Sequence, residues 1–198
     1  MEAKAFVERV LPHLPSSTPS RFTFKSWKQR GRPTAEGFGI MPLPGLVPEK
    51  LIDAVMDVDH YVGNVQHVSE CRSILDDRFR PPGAVRLYQR VNIPVLGTLH
   101  QELVLHRLGE IRGYQIAAWE LLKPETDRLD TRRGFRSEYN LGAWLAAPGV
   151  VGYALCSAPR KSDVGRLKFA ALTRGADAAA GKVLKLAIEG MARWAMSR

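Results

Sequence analysis

Between residues 66 and 157 the chain alternates strand-length runs with short breaks, and from about Val164 it changes period once, to helical spacing held as far as Ala195. That single change leaves few folds open. The runs are Gln66–Leu75, Val85–Ile93, Thr98–Arg107, Gly113–Leu122, Arg133–Ala146 and Val150–Ser157. The breaks carry Pro81-Pro82-Gly83, Pro94 with Gly97, Gly109, Pro124 and Pro148-Gly149. Connections this short favour an antiparallel meander. No run between them reads as a helix joining parallel strands, which argues against a nucleotide-binding α/β fold.

In the last segment Leu167, Ala171, Leu172, Ala176, Ala179, Ala180, Val183, Leu184, Ala187, Met191 and Trp194 recur at helical spacing. One helix of about 45 Å accounts for them at 1.5 Å per residue. Gly175, Gly181 and Gly190 weaken or bend it. Upstream, Ala3–Leu11 reads as a short helix that stops before Pro12 and Pro15. Ser16–Ser20 is a loop, and Phe22, Phe24 and Ser26 alternate as in a strand. The stretch that follows, through Leu46, is rich in Gly and Pro and reads as a connection. Pro48–Met56 forms a helix with Leu51, Ile52, Val55 and Met56 on one face. Asp57 or Asp59 caps a further turn into Tyr61 and Val62. The expectation is one α+β domain over 1–198, with 1–20 an N-terminal helix and loop and 21–198 the core. A chain of 198 residues suits a single domain.

Hydrophobic content of 45% and charged content of 25% are those of a soluble globular protein. The N-terminus lacks the apolar core of a signal peptide, and no stretch approaches a membrane span. A cytoplasmic location is expected. Cys71 and Cys156 lack CxxC spacing and read as small core residues rather than a disulfide framework or a zinc site. The net charge is +9, and Arg160–Arg198 holds nine Lys/Arg against three Asp/Glu. Such a charge either solubilises the surface or draws the protein to an anionic partner.

A curved sheet crossed by a long helix leaves a hollow between them. Small residues at the helix middle, Ala176 to Gly181, either leave room for a ligand or let helix and sheet pack closely. The order helix, strand, short helices, six strands, long helix is that of the helix-grip fold. Three stretches carry a closer likeness: Val55-Met56-Asp57-Val58-Asp59-His60-Tyr61, Gly142-Ala143-Trp144-Leu145 after Glu138-Tyr139-Asn140, and Asp163-Val164-Gly165 before the last helix. From Phe22 to the end the chain resembles the START family of that superfamily. The resemblance implies a curved antiparallel sheet wrapped around a long C-terminal helix, with an internal hydrophobic cavity for a lipid, sterol or other apolar molecule. Many members carry an Arg-Asp pair where this chain has His100-Gln101, so the role of that pair does not carry over.

Candidate lining residues on the strands are Leu103, Leu105, Trp119, Tyr139 and Trp144. Those on the helix are Leu172, Ala176, Ala179, Ala180 and Val183. Arg136 and Glu138 share one strand face. Facing inward they grip a polar head; facing outward they form a surface ladder. His100, Glu102 and His106 share a strand side, as a metal site or as a solvated polar face with Leu99, Leu103 and Leu105 opposite. There is no GxSxG, no Cys-His context and no phosphate-binding glycine loop; Gly37-Phe38-Gly39 lacks the helix a dinucleotide fingerprint needs.

Three functions follow. The first is a binding protein for a lipid-like molecule, for transfer or sensing, with transient contact to anionic membrane. The second is a polyketide cyclase or aromatase on the same scaffold, with Tyr139, Arg136, Glu138 and His100 as proton-moving candidates. The third is nucleic-acid binding through charge, which no motif accompanies. No metal and no cofactor is expected.

Overall fold

The computed structural model describes residues 1–93, 97–131 and 134–198; within the last helix it describes the backbone, but not the side chains, of 171, 172, 174 and 176–178. Helix α1 (Glu2–Val10) leads into strands β1 (Thr23–Trp27) and β2 (Glu36–Pro42). Helix α2 (Pro48–Met56) and a 3-10 turn (Val58–His60) precede β3 (Val68–Ile74), β4 (Ala84–Ile93), β5 (Gly97–Ile111) and β6 (Tyr114–Leu121). A short helix α3 (Lys123–Asp127) leads to β7 (Gly134–Ala147) and β8 (Val150–Pro159). Helices α4 (Lys161–Val164) and α5 (Arg166–Met196) close the chain.

The eight strands form one curved sheet in the order β1-β2-β8-β7-β6-β5-β4-β3. Among the described residues neighbours run antiparallel, except that the starts of β5 and β7 pair in parallel, Thr98–His100 against Gly134–Arg136, beyond the end of β6. The meander from β3 to β8 follows the expected pattern. The turn at Pro94 and the start of the run at Arg133 lie outside the described residues.

Strand β2 was expected as part of a loop. Gly37 and Gly39 weaken its strand signal, yet the tertiary structure requires them. A Cβ on Gly39 would meet the Phe22 ring at 2.8 Å, and one on Gly37 would meet Phe24 at 3.2 Å. Phe24 of β1 and Phe22 just before it therefore lie against the glycines of β2.

Each sheet face holds its own core. On the outer face, α1 buries Ala3, Phe6, Val7 and Val10 against Ile116, Ala118, Leu141, Ala143 and Leu145. Arg9, on the same helix, grips the fully buried Glu36 with Nη2 at 2.7 Å and Nε at 3.1 Å. Trp27 Nε1 donates to the same carboxylate at 2.9 Å. One buried charge thus ties α1, β1 and β2 together. On the inner face, α2 (Leu51, Ile52, Val55) and α5 (Ile188, Met191, Ala195) cover Leu87, Leu103, Leu105, Trp119 and Trp144. Helix α5 contacts β2, β8 and α2.

Candidate ligand-binding face

Alternation along each strand selects the inner residues. Strand β5 presents Gln101, Leu103 and Leu105; β6 presents Ala117, Trp119 and Leu121; β8 presents Val151, Tyr153 and Leu155. Strand β7 changes phase. A bulge between Ser137 and Tyr139 inserts one residue, so Ser137 before it and Asn140 after it both point inward. Without the bulge, two residues three apart would face opposite sides. Tyr139, Leu141 and Ala143 consequently belong to the outer cluster, and Gly142 and Trp144 to the inner face.

Gly142 sets the position of Trp119. A Cβ there would lie 1.9 Å from Trp119 Cζ2, so the indole rests directly on the glycine backbone. Tyr153 packs beside it, 5.7 Å between ring centroids and stacked, and reaches Trp144 at 4.2 Å. Tyr153 is half-buried, and burial holds its hydroxyl far above the usual phenol range. Among the described residues that hydroxyl has no hydrogen-bond partner.

A relay of neutral polar groups starts at Trp119. Its Nε1–H donates to Asn140 Oδ1 at 2.9 Å. Asn140 Nδ2 donates to Gln101 Oε1 at 2.8 Å, and Ser137 Oγ donates to the same oxygen at 2.8 Å. Gln101 Nε2 then donates to Gln89 Oε1 at 2.9 Å. Because an indole N–H only donates, the first bond dictates which end of each amide faces its neighbour. Gln101, Ser137 and Asn140 are all buried. Sequence reasoning missed this relay; its one visible signal was Gln101, an amide at a position flanked by inward leucines.

The expected residues divide between the two faces. Leu103, Leu105, Trp119 and Trp144 meet on the inner face. Tyr139 is on the outer face, bonded to Thr34 Oγ1 at 2.6 Å with the Arg32 guanidinium 4.3 Å from its ring centroid. Arg136 does not grip an interior head: Nε donates to Asp163 at 2.8 Å and Nη1 to the Asp127 carbonyl at 2.8 Å. Glu138 is exposed and pairs with Lys123 at 2.7 Å. Glu138 and Tyr139 line an open pocket of about 450 Å³ with Arg32, Lys123, Lys161 and Phe169, at the end of the sheet. On α5, Val183 is 49% exposed and Ala179 exposed, while Ala180 is half-buried and Leu184 buried. Of the expected stripe, Leu184, Ala187 and Met191 pack inward, while Leu167, Ala179 and Val183 are exposed. The side chains of Leu172 and Ala176 lie outside the described residues.

His100 faces outward, bonded through Nδ1 to the Tyr88 hydroxyl at 2.9 Å, and burial lowers its pKa. Glu102 shares that side and pairs with Arg86 at 2.5 Å. Among the described residues no three His, Cys, Asp or Glu side chains gather to hold a metal. Cys71 and Cys156 are free and buried, and burial pushes their thiols up to about 12 and about 11. Neither is poised as a nucleophile at neutral pH.

No protein-family model and no curated protein matches the chain in sequence. Solved structures match it in shape. The STAR-related lipid transfer protein of Xanthomonas axonopodis superposes with a TM-score of 0.70 at 12% identity, covering 91% of this chain and 97% of that one. Human STARD10 gives 0.68 at 14% identity, covering 96% and 78%. The di-domain ARO/CYC BexL of the BE-7585A biosynthetic pathway gives 0.51 at 13% identity, covering 94% of this chain and 52% of that one. The fold is START-like. Among the described residues no helix is long and apolar enough to cross a membrane.

Proposed function

We propose that the chain holds a lipid-like or other hydrophobic small molecule between the inner sheet face and α5, for transfer or sensing. The observation that carries this reading is the Trp119–Tyr153–Trp144 wall, whose central tyrosine is half-buried and whose hydroxyl has no hydrogen-bond partner among the described residues. A fully packed core leaves neither. The likeness to two structures named as lipid-transfer and STARD proteins supports it. An apolar ligand there is held by area removed from water, at roughly 25 cal/mol per Å².

Entry requires part of the cover to move. Helix α3 (Lys123–Asp127) is a poor candidate, because Thr126 is fully buried and its Oγ1 accepts from Glu102 N at 2.9 Å. The N-terminal half of α5 is the better one: Leu167 is 90% exposed, and Gly175 and Ala179 are exposed. Exposed Lys182 and Lys185 on α5, with Lys25 and Lys28 near β1, favour anionic membrane, at roughly 1 kcal/mol per cation near the surface.

A cyclase reading draws on the likeness to BexL. It is the weaker of the two, because Arg136, Glu138 and Tyr139 do not face the interior. The test is to purify the protein from its native host, extract it with organic solvent and identify what is released by mass spectrometry. One apolar compound at near-stoichiometric amount supports the carrier; an empty protein that binds no member of a broad lipid panel overturns it.

A further inference from the structure

The relay on the inner face has more donors than acceptors. Each primary amide carries two N–H groups. Gln101 Nε2 uses one on Gln89, and Asn140 Nδ2 uses one on Gln101. Among the described residues the second N–H of each has no acceptor, and neither N–H of Gln89 has one. Gln101 Oε1 is fully occupied by Ser137 and Asn140. The Tyr153 hydroxyl, across the Trp119 ring, adds one more open position.

Formal charge is missing from the same surface. Among the described residues the inward positions of β6, β7 and β8 carry no Lys, Arg, Asp or Glu, and those of β5 carry none before its bulge at Arg107. The buried carboxylates Glu36 and Glu102 belong to other surroundings, and each is already paired, with Arg9 and Arg86. An ionised head placed beside Gln101 would lose its water and meet no counter-charge among the described residues. A neutral oxygen with lone pairs would meet waiting N–H groups.

We infer that the inner face selects a neutral, flat, mostly apolar molecule bearing a carbonyl-type acceptor oxygen. That oxygen docks on the free N–H groups of Gln101 and Asn140, and its rings lie against Trp119 and Tyr153. The inference rests on the proposed reading that an apolar ligand occupies this face, and it goes further by naming the polar group.

Three probes share one tricyclic skeleton: fluorene, 9-fluorenone and fluorene-9-carboxylate. Equilibrium dialysis against the full chain at neutral pH measures each. Fluorenone should bind about ten-fold more tightly than fluorene, the scale of one hydrogen bond made in a dry site, and the carboxylate should bind most weakly. In Gln101→Leu the ketone should lose its advantage over the hydrocarbon while fluorene still binds. A carboxylate that binds as well as the ketone overturns the inference, as does a ketone preference that survives Gln101→Leu. Equal binding of fluorene and fluorenone overturns it while leaving the apolar site standing. Binding by none of the three overturns both. The comparison on the unaltered protein stands by itself should Gln101→Leu not fold.

Discussion

Trp119 of β6 donates its indole N–H to Asn140 of β7 at 2.9 Å while its ring lies on the backbone of Gly142, two residues further along β7. One side chain is thus held by a polar contact at one edge and a steric one on its face. Replacing Trp119 by Phe keeps a ring and removes the donor. Asn140 Oδ1 is then left buried without its partner, a loss of about 1–3 kcal/mol. Urea unfolding should show it as a lower midpoint with an unchanged slope.

Gly142→Ala addresses the other contact. Its Cβ would stand 1.9 Å from the indole, so the ring must move. Overpacking of this kind destabilises by about 1–3 kcal/mol. The ring shift should also appear as a change in tryptophan emission and in near-ultraviolet circular dichroism, while far-ultraviolet dichroism stays the same. Unaltered spectra would mean that Trp119 is not seated on Gly142.

Arg9→Ala leaves Glu36 buried without its guanidinium. Breaking a buried pair from one side typically destabilises by about 3–5 kcal/mol. Replacing both residues, as Arg9→Met with Glu36→Gln, should recover much of that loss, because no charge then stays unpaired. A double variant no more stable than Arg9→Ala would contradict the assigned role.

Asp163 carries a pH dependence. The Arg136 guanidinium bonded to it holds its carboxyl below the usual carboxylate range. A carboxyl depressed in the folded state stabilises above its unfolded pKa, about 3.9, and that contribution is lost as pH falls through the folded value. The stability gap between the parent and Asp163→Asn should be full at pH 6 and should close in acid below pH ~4. A gap constant from pH 6 down into that acid range would remove the ion pair from the account.

Both cysteines should be silent to thiol reagents in the folded state. With Cys71 near 12 and Cys156 near 11, little thiolate exists at pH 8, and both are buried. Iodoacetamide should label neither in native buffer and both in denaturant. Rapid native labelling of either would show that its strand opens.

The meander, the long final helix and the inward leucines of β5 were legible because each rests on local periodicity, which the chain carries residue by residue. Alternation marks a strand half in contact with a core, and helical spacing marks a buried stripe, whatever else is nearby. Three features needed the tertiary structure. Strand β2 is hidden by Gly37 and Gly39, which look like loop residues until Phe24 and Phe22 are laid over them. The faces of Tyr139 and Asn140 depend on a one-residue bulge, and no local signal in Arg133–Ala146 announces it. The phase of α5 was ambiguous because alanines and glycines fill several of its faces, so only packing on β2, β8 and α2 picks Leu184 over Val183. The relay from Trp119 to Gln89 spans strands β4, β5, β6 and β7. Its members are polar residues scattered over 52 positions (Gln89 to Asn140). Sequence alone determined the meander and the long final helix; the pairing of distant strands brought out β2 and decided which side chains meet, because contact across a sheet depends on register and not on spacing along the chain.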